Sequence, residues 1–312
     1  MSEATETTKV NGAAGKPAVT KVAKVSKLKA KDPKLAEPSK PKWIIYGPPG
    51  AGKTWTSLDF PVAYYIDTEG GASRAHYTDK IKAAGGVYLG PEDGSLDPVT
   101  IIEQIQALAT EEHEYKTLII DSITKIYNSI IAHEAERLGE KDAFGASKKP
   151  AIAFCRRLTN WLNRLDMNVI LIAHEKIVWG EGAIGKIGET FDAWDKFEYE
   201  LDLVLQISKR GASRYATPKK SRLLGFPEGE KFEWSYPEFA KRYGKDVMEK
   251  SATPVRLATR EQVEEVKKLL DVVRIPESKI TKLFTDANVD DWTEMSTESI
   301  AKAIAFFRER IV

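Results

Sequence analysis

Eight consecutive residues, Gly47-Pro48-Pro49-Gly50-Ala51-Gly52-Lys53-Thr54, fit the pattern G-x-x-x-x-G-K-[ST]. They follow the apolar run Trp43–Tyr46 and open a helix-forming stretch, which is the setting such a loop needs. Glycines there let backbone N–H groups turn inward on phosphates, and the helix N-terminus adds partial positive charge. Lys53 is expected to reach the β- and γ-phosphates, and the Thr54 hydroxyl to bind Mg²⁺. ATP and Mg²⁺ are therefore the expected ligands.

A magnesium ion held by one hydroxyl needs a second anchor. Thr117-Leu118-Ile119-Ile120-Asp121 supplies an apolar strand ending in a carboxylate, so Asp121 is the expected second metal contact. The residue after it is Ser122, so a glutamate base directly behind the aspartate is absent. The next apolar run after the phosphate loop, Val62–Ile66, ends in Asp67-Thr68-Glu69-Gly70-Gly71 and brings a carboxylate to the same sheet edge. Glu69 is thus the expected general base for the attacking water.

These residues require a scaffold that gathers strand ends. Trp43–Tyr46, Val62–Ile66, Val87–Leu89, Thr117–Ile120, Val169–Ala173 and Leu203–Ile207 are continuous apolar runs. Continuous runs suit strands buried on both faces, and helical patterns at Pro98–Glu112, Ser122–Leu138 and Pro150–Leu165 fall between them. The spacing predicts an α/β protein with a mostly parallel central sheet flanked by helices. Phe154, Cys155 and Trp161 lie on the third of those helices with Leu158, Leu162 and Leu165, and read as core. After about residue 240 the pattern changes: Thr259 and Gln262 form a capping-box pair, and three short amphipathic helices follow. The division is a basic tail over 1–40, an ATPase core over 41–240, a linker over 241–258 and a three-helix all-α module over 259–312.

The chain has 312 residues and a net charge of +1. Residues 1–42 carry ten lysines against Glu3, Glu6, Asp32 and Glu37, so the remainder is mildly acidic. Bulk charge therefore does not identify a nucleic-acid partner. The composition of residues 1–40 suits a disordered tail, either solubilising or a phosphate-backbone arm or subunit tether. No run is long and apolar enough for a membrane span, and no secretory signal is evident, so a cytoplasmic location is expected (host bacterial cytoplasm if phage-encoded) with no membrane partner. The four histidines and Cys155 fall at no metal-ligand spacing, so structural zinc is not expected.

Taken together, Gly47–Thr54, Ile66–Gly71 and Leu118–Ser122 resemble the RecA-like P-loop ATPases. The resemblance is closest to the phage-encoded AAA/RecA-like group that includes the Sak-type single-strand annealing proteins. It rests also on Ala173-His174-Glu175 and Lys220-Ser221-Arg222, and spans about residues 42–239. It implies that His174 senses the γ-phosphate, with a satisfied structural histidine as the other reading. It also implies that Lys220 and Arg222 reach the γ-phosphate of a neighbouring subunit in a ring or filament. The alternative is a solvated basic hairpin through Gly211, shared with Lys209, Arg210, Arg214 and Lys219.

The segment Lys176–Glu200 sits where a RecA-type protein carries its DNA loop. Its glycines and Trp179, Phe191, Trp194 and Phe197 suit base stacking, while Glu181, Glu189, Asp192, Asp195, Glu198 and Glu200 would repel phosphates, as in a structural hairpin or lid. The leading expectation is an ATPase acting on single-stranded DNA in phage-type recombination or annealing, as a homo-oligomer, beside a single-stranded-DNA-binding protein. The alternative is an oligomeric motor or switch ATPase, such as a helicase-loading or protein-remodelling factor. A small-molecule P-loop kinase fits poorly, since it would want a lid of arginines and no glutamate base at the second strand.

Overall fold

The computed structural model describes residues 38–142, 145–180 and 185–311. The strands are β1 (Lys42–Tyr46), β2 (Ala63–Asp67), β3 (Val87–Leu89), β4 (Thr117–Asp121), β5 (Asn168–Ile172), β6 (Glu175–Trp179), β7 (Lys186–Phe191), β8 (Leu203–Arg210), β9 (Ser213–Ser221) and β10 (Phe232–Glu233). The helices are α1 (Lys53–Ser57), α2 (Ala75–Ala83), α3 (Pro98–Thr110), α4 (Ile123–Leu138), α5 (Lys148–Arg164), α6 (Phe197–Glu200), α7 (Tyr236–Tyr243), α8 (Lys245–Glu249), α9 (Arg260–Val272), α10 (Glu277–Ala287) and α11 (Thr297–Arg308).

Among the described residues the main sheet runs β10-β9-β8-β1-β5-β4-β2-β3. The six strands from β8 to β3 are parallel, and β9 and β10 add antiparallel. The parallel strands cover the six apolar runs, and each of the three expected internal helices is present. Alternate side chains serve opposite layers, as strand geometry requires. In β1, Ile44 and Tyr46 join the layer with α3 and α5, whereas Trp43 and Ile45 join the layer with Phe60, Trp234 and Phe239. Phe154, Cys155 and Trp161 are buried in the first layer, and burial pushes the Cys155 thiol well above its usual range, which suits packing rather than nucleophilic chemistry.

Two boundaries of the expected division fall differently on the chain. The tail expected over 1–40 lies outside the described residues up to residue 37, but Lys40 is only 3% exposed. Its ammonium donates to the carbonyls of Asp166 at 3.0 Å and Lys250 at 2.5 Å, which anchors the entry to β1. Burial lowers the pKa of Lys40. The span 241–258, expected as a linker, contains the end of α7 and all of α8, with Met248 fully buried against the sheet layer. Beyond it α9 begins with Thr259 and Gln262 in the expected reciprocal cap, and α11 is capped by Ser296. Helices α9, α10 and α11 share their own core around Val266, Trp292 and Phe307. Among the described residues no helix is long and apolar enough to cross a membrane.

Candidate active site

The register of the parallel strands decides where chemistry occurs. Asp67, Asp121 and Ile172 are paired neighbours at the carboxyl ends of β2, β4 and β5, and Ala173 N–H donates to Ile45 O at the end of β1. Four strands thus deliver the residues just after them, Gly47, Thr68, Ser122 and the pair Ala173-His174, to one edge. A crevice outside the carboxyl ends of the strands is where open α/β sheets bind ligands. Here it is a cleft of about 520 Å³ lined by Lys53, Thr54, Glu69, Asp121, His174 and Glu175, among others.

The phosphate loop is shaped by close approach. A side chain at Gly47 would place its Cβ 2.2 Å from Ile207 O, because β8 runs directly beside β1. Gly52 has φ of 87°, and a Cβ there would lie 2.0 Å from Nε of Arg214 on β9. Among the described residues Arg214 Nε is buried without a hydrogen-bond partner, and Arg214 is not part of the cleft lining, so this side chain backs the loop from outside the cleft. Lys53 donates to Gly47 O at 2.7 Å and Pro48 O at 3.2 Å, folding its ammonium over the loop that a phosphate would occupy. Burial lowers the pKa of Lys53, against the charges of Asp121, Glu175 and Glu69.

Thr54 donates to Asp121 Oδ2 at 2.5 Å, and Tyr65 OH donates to the same oxygen at 3.2 Å. Asp121 is only 5% exposed, and burial pushes its pKa up to about 6, helped by the nearby charges of Glu69 and Asp67. A buried carboxylate beside a hydroxyl, with Lys53 bonded to its own loop, is a donor set suited to a small divalent cation. Thr54 and Asp121 would hold Mg²⁺, which would neutralise charge on the bound phosphates.

Glu69 lies on the loop after β2, and Asp67 fixes that loop. Its carboxylate accepts from Glu69 N–H at 3.0 Å, Gly70 N–H at 2.9 Å and Ala72 N–H at 2.6 Å. The result directs the Glu69 side chain to the cleft, where its Oε1 accepts from Ser122 Oγ at 2.6 Å and meets His174 Nε2 at 3.2 Å. Ser122 Oγ and His174 Nε2 are 3.5 Å apart. The structure therefore brings together Lys53, Thr54, Asp121, Glu69 and His174, all selected from the sequence. It adds Ser122, which also caps α4 through Lys125 N–H, and Thr68, whose hydroxyl accepts from Ser122 N–H at 2.8 Å. The capping signature of Ser122 is visible in sequence, but its contact with Glu69 depends on strand order and has no local signal.

Lys220 and Arg222 lie elsewhere. Val204 pairs with Lys220 and Arg222 N–H donates to Asp202 O, so both stand at the amino-terminal edge of the sheet, level with the start of β1. Lys220 donates to Leu201 O and Arg222 to Tyr199 O. The cations of the same hairpin on the phosphate side are Lys209, Arg210 and Arg214.

The expected stacking surface is also revised. Phe191, Trp194 and Phe197 are buried in the sheet layer, so they are core residues rather than a base platform. Trp179, 65% exposed, and Ile177 project from the β6–β7 hairpin. The base of that hairpin is tied to the site: Thr124 Oγ1 donates to Asp192 O at 2.5 Å and accepts from His174 N–H at 2.8 Å, while Asp192 N–H donates to His174 O at 2.8 Å. Gln206, at the β8 position beside Tyr46, donates to Glu175 at 3.1 Å and Glu189 at 2.6 Å. Glu181 and the three residues after it, including Gly182, lie outside the described residues.

Phosphate loop, buried carboxylate and cleft glutamate on one sheet edge define a P-loop ATPase. The chain belongs to the AAA domain family, whose model matches residues 39–233, from just before β1 to the end of β10. No curated protein matches it. Among solved structures it is similar to the RadB recombinase, with 20% identity, TM-score 0.43, and coverage of 63% of this chain and 87% of that one. It is similar too to the flagellar accessory protein FlaH from Methanocaldococcus jannaschii, with 14% identity, TM-score 0.36 and coverage of 63% and 85%. A type III secretion system ATPase of pathogenic bacteria gives 13% identity, TM-score 0.37 and coverage of 88% and 82%.

Proposed function

We propose that this chain hydrolyses ATP with Mg²⁺ in a homo-oligomer and couples that hydrolysis to single-stranded DNA, as in phage-type recombination or annealing, in the cytoplasm. The observation that carries the reading is the hydrogen-bonded group Glu69, Ser122 and His174 at the rim of the cleft that holds Lys53, Thr54 and Asp121. Loop N–H groups and Lys53 bind the phosphates, with Lys53 exchanging its loop carbonyls for phosphate oxygens. Glu69 accepts a proton from the attacking water, and Ser122 holds its carboxylate in place. Water-activating residues of this kind contribute roughly 10²–10⁴ in rate.

His174 touches Glu69 through its ring and the β6–β7 hairpin through its backbone. A change at the γ-phosphate therefore has a short covalent and hydrogen-bonded route to Trp179 and Ile177. In this reading those exposed side chains contact DNA bases, and Lys220 and Arg222 act on the nucleotide of a neighbouring subunit, since their own site lies at the other end of the strands. A single-stranded-DNA-binding protein is the expected accessory partner.

One observation favours the second reading, a motor or switch ATPase whose ligand is protein. With Phe191, Trp194 and Phe197 buried, an exposed hairpin bearing Ile177 and Trp179 also suits an apolar protein contact. ATP turnover with and without single-stranded DNA, at low and moderate salt, separates the two. Stimulation lost in Trp179→Ala supports the DNA reading, whereas DNA-independent turnover without DNA binding discards it.

A further inference from the structure

The cleft contains a cation that the mechanism so far does not use. Arg74 lines it together with Lys53, Thr54, Glu69, Asp121 and His174. The residue is exposed, and among the described residues its guanidinium makes no hydrogen bond and no ion pair. Several other arginines are bonded: Arg157 and Arg164 to Glu294 and its neighbours, Arg242 to Glu230 and Glu238, and Arg222 to Tyr199 O.

The backbone beneath Arg74 is held firmly. Asp67 accepts from Ala72 N–H, Arg74 N–H donates to Gly71 O at 3.1 Å, and Arg74 O accepts from Tyr77 N–H at 2.9 Å at the start of α2. Arg74 caps that helix with its backbone, while its side chain takes no part in the cap. Glu69 and Arg74 thus leave one hydrogen-bonded turn, five residues apart, and line the same cleft. Glu175 and the buried Asp121 line it too, so the nucleotide-free cleft holds three carboxylates with Lys53, Arg74 and the imidazole of His174.

We infer that Arg74 is a γ-phosphate ligand supplied within the same chain: its guanidinium engages the terminal phosphoryl oxygens beside the water activated by Glu69. A planar guanidinium suits two phosphate oxygens at once, and its charge opposes the charge on the terminal phosphoryl during transfer. The inference rests on the ATPase reading. It places discrimination between ATP and ADP on the Glu69–Arg74 turn, independent of any contribution from a neighbouring subunit.

The test compares wild type, Arg74→Ala and Arg74→Lys by equilibrium binding of Mg·ADP and of a non-hydrolysable Mg·ATP analogue, and by single-turnover hydrolysis. Because the side chain is exposed and bonded to nothing described, melting temperature should not move. Arg74→Ala should weaken the ATP analogue about 10- to 100-fold, the value of a charge-assisted hydrogen bond, while ADP affinity stays within about twofold. Arg74→Lys should recover part of the loss, since it restores charge without the fork. Equal loss for ATP and ADP, or no loss for either, overturns the inference while leaving the ATPase reading intact. A wild type that binds neither nucleotide removes the ATPase reading, and the γ-phosphate role of Arg74 with it.

Discussion

The nucleotide cleft and the face where α9–α11 meet the sheet core use the same residue types in opposite ways. At that face Glu294 accepts from Gln106 Nε2 at 3.1 Å, Arg157 Nη2 at 2.7 Å and Asp290 N–H at 3.0 Å. Arg164 donates to Glu294 O at 2.8 Å and Asn288 O at 2.6 Å. Glu294, Arg157 and Arg164 are all matched there, as burial requires. In the cleft the matching is incomplete: Asp121 is a buried acid, Lys53 is bonded to its own loop and Arg74 is unpaired among the described residues. Saturated charges hold helices in place, whereas unsaturated ones are available to a ligand, at a cost to the nucleotide-free fold.

Several substitutions would break or sharpen that contrast. Lys53→Ala should abolish ATP binding, measured by calorimetry, because the cleft then keeps carboxylates and loses its loop cation. Arg222→Ala should slow turnover by about 10³-fold or more if its guanidinium acts on a neighbour's nucleotide, and mixing with Lys53→Ala subunits that retain Arg222 should restore part of the rate. Absence of rescue would return Arg222 to the saturated class, a strut for Tyr199 O.

Glu69→Gln should keep nucleotide binding and lose about 10²–10⁴ in turnover, since the amide cannot take the proton. Unchanged hydrolysis would remove Glu69 from the mechanism. Glu294→Ala should do the reverse, costing about 2–3 kcal/mol in urea unfolding because Arg157 loses its buried partner, with turnover per folded molecule unchanged. A loss of turnover without loss of stability would erase the distinction between the two regions.

The smallest effect concerns Asp121. Its folded pKa of about 6 exceeds the ordinary 3.8, so folding favours its protonated form. The unfavourable contribution is absent below the ordinary value, grows as pH rises between the two, and is complete above about 6. Asp121→Asn should therefore raise the melting temperature of the nucleotide-free protein by about 3 °C or more at pH 7.5, and leave it unchanged near pH 3, while abolishing hydrolysis. Equal melting shifts at both pH values would mean that the carboxylate is not the source of the cost.

How much of this was legible depended on the range of the signal. The phosphate loop, the two carboxylates at strand ends and the Thr259–Gln262 cap are local patterns, in which neighbouring residues carry the whole message. Six buried strands were legible because each is apolar on both faces. The hairpin β6–β7 was legible only as one of two readings of Lys176–Glu200, because its exposed strands lack that run. Phe191, Trp194 and Phe197 resembled a binding surface in sequence, since aromatic residues in a glycine-rich segment look alike whether they face solvent or core. Only packing under β1 and α5 assigns them to the interior.

The sequence by itself determined a phosphate loop, a carboxylate ending an apolar strand, a glutamate at the second strand and an α/β scaffold with helices after it. Tertiary structure alone decided that β5 lies between β1 and β4, which sets His174 and Ser122 against Glu69. It alone separated Lys220 and Arg222 from the cleft, placed Arg214 behind Gly52 and left Arg74 lining the site without a partner among the described residues. Strand order and register are fixed by burial summed over the whole sheet, so contacts between residues 50 to 160 positions apart have no trace in any local window.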